Sequence, residues 1–257
     1  MLRGVSLDVP ERGFTGILGP NGSGKTTLLR LLAGTLRPAA GRITLDGVDV
    51  SGAPRQALAR RLAVVPQETR LAFDYSVLEV VLMGRYPHLS PFEIEGPRDL
   101  AIAREALAAT GTLPFQDRPF ATLSGGEKQR VVIAAALAQI QRPPGAEGRP
   151  VLLLDEPTAA LDLGYQLETG ALLRDLQDRL PLTIVISTHD LNFAAALCRA
   201  LVLLRAGEVL AAGPTAEVLT RSNVRALYGV DADVVRHEGA GRLVVVPLGQ
   251  ITSGSRR

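Results

Sequence analysis

The pattern of apolar and polar positions changes period along the chain, and each change predicts an element. Residues 14–18, from Phe14 to Leu18, form a short apolar run that stops at Gly19. Leu28, Leu29, Leu31 and Leu32 then follow at helical spacing, which predicts strand, glycine loop, helix. Gly34 and Pro38 end that helix. Residues 41–50 alternate by twos around an Asp46-Gly47 turn. A helix is predicted over 55–62, then a strand from Leu62 to Val65 halted by Pro66. Leu78 to Met83 reads as a short helix, and Pro87, Pro91 and Pro97 punctuate a loop. Asp99 to Thr110 places Leu100, Ala103, Ala106 or Leu107, and Thr110 on one helix face. Ser124 precedes a helix to about Ile140, with Val131, Ala134, Ala135, Leu137 and Ala138 on its apolar side. Val151–Leu154, Leu182–Ile186 and Leu201–Leu204 are continuously apolar, which predicts strands buried on both faces. Helices are expected over Leu167–Leu180 and Leu191–Arg199, and short strands over 208–211 and 243–246. Gln141–Pro150 reads as a surface loop and Ser253–Arg257 as a frayed tail.

This order predicts an α/β core interrupted by a mainly helical lobe: residues 1–75 and 145–257 form the core lobe, 76–144 the helical one, in a single domain of 1–257. A chain of 257 residues, 46% of them hydrophobic, can bury a sizeable core and is not expected to be disordered. The net charge of +2 gives no strong field to attract nucleic acid or an anionic membrane. Cys198 is the only cysteine, which excludes an internal disulfide and a cysteine-based zinc site. It is expected to be a small buried hydrophobe. His88 and His237 lack a ligand set and are expected at the surface. No apolar stretch approaches the roughly 18 residues that span a bilayer. Asp8, Pro10, Glu11 and Arg12 argue against a signal peptide, so the expectation is a cytosolic chain.

Gly19-Pro20-Asn21-Gly22-Ser23-Gly24-Lys25-Thr26, followed by Thr27, fits the whole eight-position phosphate-loop pattern. A triphosphate needs several N–H donors converging on a small volume. Glycines let the backbone wrap that closely, and the following helix adds its N-terminal N–H groups and dipole. In this reading Lys25 reaches the β- and γ-phosphates, and the Thr26 hydroxyl is placed for Mg²⁺.

Val151–Leu154 leads into Asp155-Glu156. Carboxylates at the end of a buried parallel strand sit at the ligand-binding edge of such a sheet. Asp155 suits the Mg²⁺ shell, and Glu156 suits the attacking water. His189 follows the apolar run 182–186 and is expected to contact the γ-phosphate or hold that water, since neutral imidazole donates from one nitrogen and accepts on the other.

Leu123-Ser124-Gly125-Gly126-Glu127-Lys128-Gln129-Arg130 resembles the signature sequence of ABC transporter ATPases. With the phosphate loop before it and Val151–Pro157 after it, the match has three parts in the expected order. The resemblance implies the P-loop NTPase core of ABC ATPase type, with an inserted helical subdomain and a small antiparallel β portion. Gln67 is similar to the glutamine that links core and helical lobe, with implied roles in catalysis and Mg²⁺ binding. Ala160-Leu161-Asp162 is similar to the loop that meets the opposite subunit, and His189 to the switch histidine. The family implies a head-to-tail homodimer holding two ATP molecules, in which Ser124, Gly125 and Gly126 of one copy cover the γ-phosphate held by the other. Two transmembrane permease subunits are implied as partners, docking near Gln67 and residues 70–95. An extracytoplasmic substrate-binding protein is implied indirectly, and no nucleic acid. The implied location is peripheral, on the cytoplasmic face of the cell membrane.

Val80 to His88, Leu191 to Ala195, and the tail from Gly213 to Val230 resemble segments of importers of iron–siderophores, haem and cobalamin. The 141–150 loop is nearer to the haem and cobalamin members. Competing expectations are an ABC importer of another cargo such as zinc or manganese, a soluble ABC protein acting on ribosomes or DNA, and a non-hydrolysing P-loop domain. One departure stands out. The family carries a strand and an adenine-stacking aromatic upstream of the position of Leu2, and Phe14 lies too close to the phosphate loop to replace it. Either the start is misassigned, or adenine is held more weakly, by about 0.5–1.5 kcal/mol if an aromatic pair is a fair guide.

Overall fold

The structure is a computed structural model that describes residues 2–69, 71–142, 148–159 and 162–250. In chain order the elements are β1 (Phe14–Leu18), α1 (Lys25–Leu32), β2 (Thr44–Leu45), β3 (Val48–Asp49), α2 (Arg55–Ala59), β4 (Leu62–Val65), α3 (Val77–Leu82), α4 (Pro97–Ala109), α5 (Gly125–Ile140) and β5 (Val151–Asp155). They continue with α6 (Leu163–Arg179), β6 (Thr183–Thr188), α7 (Leu191–Leu197), β7 (Ala200–Arg205), β8 (Glu208–Pro214), α8 (Thr215–Val218), α9 (Arg221–Tyr228), β9 (Val230–His237) and β10 (Arg242–Gln250). The chain divides into two compact units, Met1–Leu28 with Val185–Arg257, and Leu29–Ile184.

In the first unit the strands run in the order β6, β1, β7, β8. β1 pairs in parallel with β7, from Thr15 opposite Ala200 to Leu18 opposite Leu203, and β7 pairs antiparallel with β8. Every residue of β1 is buried, as a parallel strand covered on both faces requires. β9 and β10 form a separate antiparallel hairpin. Cys198 is buried as expected, and burial pushes its thiol up to about 12, far from nucleophilic use.

In the second unit β4 pairs in parallel with β5, Leu62 opposite Val151 through Val65 opposite Leu154. β2 and β3 are a two-residue hairpin whose turn residues Asp46 and Gly47 both take positive φ, 51° and 79°. That is the twist a tight hairpin needs, and it is why Asp-Gly was legible there. The helical part of this unit is built from α3, α4 and α5. α5 buries Val131, Ile133, Ala134, Ala136, Leu137, Ala138 and Ile140, more than half of its circumference.

Several expectations are corrected. Pro87 and Pro97 are not loop punctuation. Pro87 lies inside a 3-10 helix, Met83–His88, and Pro97 opens α4, where a missing N–H costs nothing. His88 is half-buried, with Nε2 2.7 Å from the Gln139 carbonyl, rather than a surface residue. His237 is exposed, as expected. α6 begins four residues earlier than the apolar pattern suggested, because Asp162 caps it by accepting from Tyr165 N–H at 3.0 Å. The strands around 208 and 243 extend to Pro214 and Gln250, and α9 and β9 are additions. Ala160, Leu161, the centre of the 141–150 loop (143–147) and Ser253–Arg257 lie outside the described residues. No helix among the described residues is long and apolar enough to cross a membrane.

Candidate functional site

The first unit holds the phosphate loop and the histidine turn. β1 delivers the chain to Gly19, where a Cβ would collide with the Leu204 carbonyl and Ser23 Oγ. Gly22 and Gly24 take φ of +78° and +107°, conformations that other residues rarely adopt. Ser23 N–H donates to the Pro20 carbonyl at 3.1 Å, and Gly207 N–H donates to the Ser23 carbonyl at 3.0 Å, so the loop is closed by backbone bonds. Lys25 is only 5% exposed, and Nζ donates to the Gly19 carbonyl at 2.8 Å and the Pro20 carbonyl at 3.3 Å. The ammonium is therefore held over the loop rather than in solvent. Ser23 is 3% exposed, and its Oγ has no hydrogen-bond partner. A buried hydroxyl without a partner costs about 1–3 kcal/mol, which a ligand oxygen at this loop would offset. Thr26 is half-buried and Thr27 and Asn21 are exposed at the same loop–helix junction. His189 follows β6 directly and is exposed.

The second unit holds the carboxylates, Gln67 and the glycine-rich helix start. Asp155 is the last residue of β5 rather than the first beyond it, and is 8% exposed. Glu156 is half-buried at φ +46°, a left-handed conformation that costs a non-glycine residue about 1–3 kcal/mol. Its carbonyl accepts from Ala159 N–H at 3.0 Å, so the turn is fixed by its own backbone. Gln67 is exposed just after β4 and Pro66.

Ser124 caps α5 in a reciprocal box. Its Oγ accepts from Glu127 N–H at 3.3 Å, and the Glu127 carboxylate accepts from Ser124 N–H at 2.7 Å. The hydrogen bonds from the Ser124 backbone and hydroxyl hold the Glu127 carboxyl below its ordinary value. Ser124 and Gly125 are exposed, while a Cβ on Gly126 would collide with the Tyr165 ring. Gly126 thus has a packing reason of its own, against α6, that its place in a glycine motif did not reveal. Tyr165 was not legible as its partner, because the contact joins elements about 40 residues apart.

The residues of Val80–His88 turn out to be brackets. A Cβ on Gly84 would collide with the Ala135 carbonyl of α5. Arg85 is 4% exposed; Nε donates to Asp99 Oδ1 at 2.9 Å and Nη1 to the Ala138 carbonyl at 2.6 Å. The Pro87 carbonyl accepts from Arg60 Nε at 2.6 Å. Burial alone would raise the Asp99 carboxyl, but the bonds from Arg85 and Gly96 N–H and the Arg85 charge outweigh it and hold it low. Among the described residues, no cluster of three or more His, Cys, Asp and Glu could hold a metal ion by itself.

Residues 2–159 match the ABC transporter family. The hemin import ATP-binding protein HmuV of Gloeobacter violaceus is 44% identical over 97% of this chain and 89% of its own length. The cobalamin import ATP-binding protein BtuD of Halobacterium salinarum is 40% identical over 99% of this chain, which spans 62% of that protein's length. A solved chain from an inward-facing ABC transporter assigned to the metal-chelate type superposes with a TM-score of 0.81 and 32% identity, covering 95% of this chain and 90% of its own.

Proposed function

The chain belongs to the ABC transporter family of ATP-binding proteins, and from that premise we propose that it is the ATP-hydrolysing subunit of an importer for haem, cobalamin or an iron–siderophore. The observation that carries the ATP reading is the glycine cradle. Gly19, Gly22 and Gly24 stand where side chains would collide or strain, around a buried Ser23 hydroxyl without a partner. The cargo reading rests on the hemin and cobalamin import proteins, 40–44% identical along nearly the whole chain.

In this proposal Gly19–Thr27 receive the phosphates, with Lys25 moving from the loop carbonyls to the β- and γ-oxygens. Glu156 orients and activates the attacking water, and His189 supports the γ-phosphate geometry. Thr26, Gln67 and Asp155 would hold Mg²⁺; hydroxyl, amide and carboxylate oxygens are a fitting donor set for that hard cation. When bound, the ion offsets charge on the phosphate oxygens. Residues 76–144 act as the helical subdomain within a core of 1–75 and 145–257. A second copy, arranged head to tail, brings Ser124, Gly125 and Gly126 over the γ-phosphate, and Asp162 to the facing subunit. The exposure of Ser124 and Gly125 at a capped helix start supports that partner, since this segment has no acid–base chemistry of its own and can only complete a site.

Permease subunits at the cytoplasmic membrane face dock on residues 70–95. Phe73, Tyr86, Phe92 and Ile94 are exposed there, and Tyr86, Leu89, Pro91 and Ile94 line a groove of about 530 Å³. Exposed apolar residues around a groove fit a partner surface better than solvent. The test is co-purification of the chain with its permease, then titration of the cognate binding protein with haem, a ferric siderophore and cobalamin. Tight binding of one is expected. An intact complex whose binding protein takes none of them overturns the cargo class and leaves the ATPase.

A further inference from the structure

The turn that carries His189 is held by residues from the C-terminal part of the chain, all within one unit. Inside the turn, Asp190 N–H donates to Thr188 Oγ1 at 3.0 Å, and Asp190 Oδ1 accepts from Asn192 and Phe193 N–H at 2.8 and 2.9 Å. Tyr228, the last residue of α9, donates its hydroxyl to the His189 carbonyl at 3.2 Å. The Asn192 side chain then behaves like one residue of a neighbouring strand. Its Nδ2 donates to the Val245 carbonyl at 3.1 Å, and its Oδ1 accepts from Val245 N–H at 2.8 Å. Arg242 Nη1 donates to the Asn192 carbonyl at 2.9 Å.

The chemistry of this arrangement is directional. A hydrogen bond to the His189 carbonyl fixes the peptide plane between 189 and 190, and with it the direction in which the His189 side chain leaves the backbone. A two-point amide match to one β10 residue fixes both the distance and the rotation of the α7 start relative to the hairpin. His189 is exposed at the end of β6, so the course of the backbone beneath it contributes to that orientation. Asn192 and Tyr228 fall in the two family-like segments, 191–195 and 213–230, that the phosphate chemistry leaves without a role.

We infer that α9 and β10 clamp the His189 turn, with Tyr228 and Asn192 as positioning residues for hydrolysis. The inference rests on the role proposed above for His189. The test is steady-state ATP hydrolysis by the full chain carrying Tyr228→Phe, which removes one hydroxyl and keeps the ring, and separately Asn192→Asp, which keeps shape and removes the donor to Val245. Each lowers kcat about 3- to 10-fold, the range that one such hydrogen bond supports. KM for ATP stays within about 2-fold, because the phosphate loop is untouched. In single-turnover assays of residual hydrolysis, adding Tyr228→Phe to His189→Ala has no further effect, since the hydroxyl acts through that residue. Wild-type kcat in both variants, with His189→Ala reduced to residual hydrolysis, overturns the clamp and leaves the role of His189 standing. Additive loss in the double variant also overturns it, and a His189→Ala chain at full rate overturns both.

Discussion

The phosphate loop at 19–26 and the segment at 83–88 are both short, glycine-bearing and family-like, yet the structure uses them in opposite ways. In the loop, Gly22 faces open space at positive φ, Gly19 and Gly24 leave no room for a side chain against Ser23, Leu204 and Leu2, a buried hydroxyl has no partner, and an ammonium sits over backbone carbonyls. In the other segment Gly84 clears space for another helix, and Arg85, Pro87 and His88 are each matched to a protein group. The unmet Ser23 hydroxyl sets the loop apart, whereas Arg85, Pro87 and His88 are satisfied within the protein. The lesson is that a motif's spacing reveals special chemistry, but only its contacts tell whether that chemistry faces a ligand or the protein itself.

The sharpest way to break the comparison is Arg85→Ala. It leaves Asp99 without its buried cation and is expected to destabilise the chain by about 3–5 kcal/mol. Denaturant melts should show that loss, while ATP affinity of the folded fraction stays unchanged. Lys25→Ala is the reverse case. It should lower hydrolysis about 10²- to 10³-fold, as loss of a preorganised charge on a developing anion does, with the melting temperature kept to within a few degrees.

Gly84→Ala comes next. Its Cβ meets backbone rather than a flexible side chain, so α5 or the 3-10 turn must shift, at about 1–3 kcal/mol. The same change at Gly96, a half-buried glycine whose Cβ would meet nothing within 4 Å, should cost far less. The smallest effect concerns pH. Burial, partly opposed by the Gln139 carbonyl and reinforced by Arg85 and Arg60, pushes the His88 imidazole below its ordinary 6.5. The unfolded chain then takes up that proton first. The contribution is present above pH 6.5 and is lost as pH falls toward the folded value, so stability should decline over that window. His88→Gln should flatten that limb in melts recorded from pH 7.5 to 5.

Much of the fold was legible because its signals are local. β1, β4 and the Ser124-capped α5 appear at the residues where apolar runs, Pro66 and Ser124 put them. The elements that escaped are those decided by distant partners or by a cap. α6 starts early because Asp162 caps it, and the exposed Leu163 and Leu167 hide its apolar stripe. α9 is short, with Val224 and Leu227 as its buried residues, and β9 buries Ala232; both are held by contacts with other elements, the β10 pairing and the Arg221 bonds to Asp231 and Asp233. The chemistry of the candidate site was legible as residue types at fixed spacing. Its supports, Tyr165 behind Gly126 and Tyr228 beside His189, were not, because they come from across the fold. The backbone of Glu156 at positive φ is equally invisible in a sequence that shows only an acid before a proline.

That strained glutamate offers the most direct test of the account. Glu156→Gln keeps the size and the turn but removes the carboxylate that would activate water. ATP binding and hydrolysis by this variant should be measured side by side on the full chain. The account predicts ATP affinity close to that of the wild type, with turnover reduced about 10²-fold or more. A Glu156→Gln chain that hydrolyses ATP at the wild-type rate would contradict it.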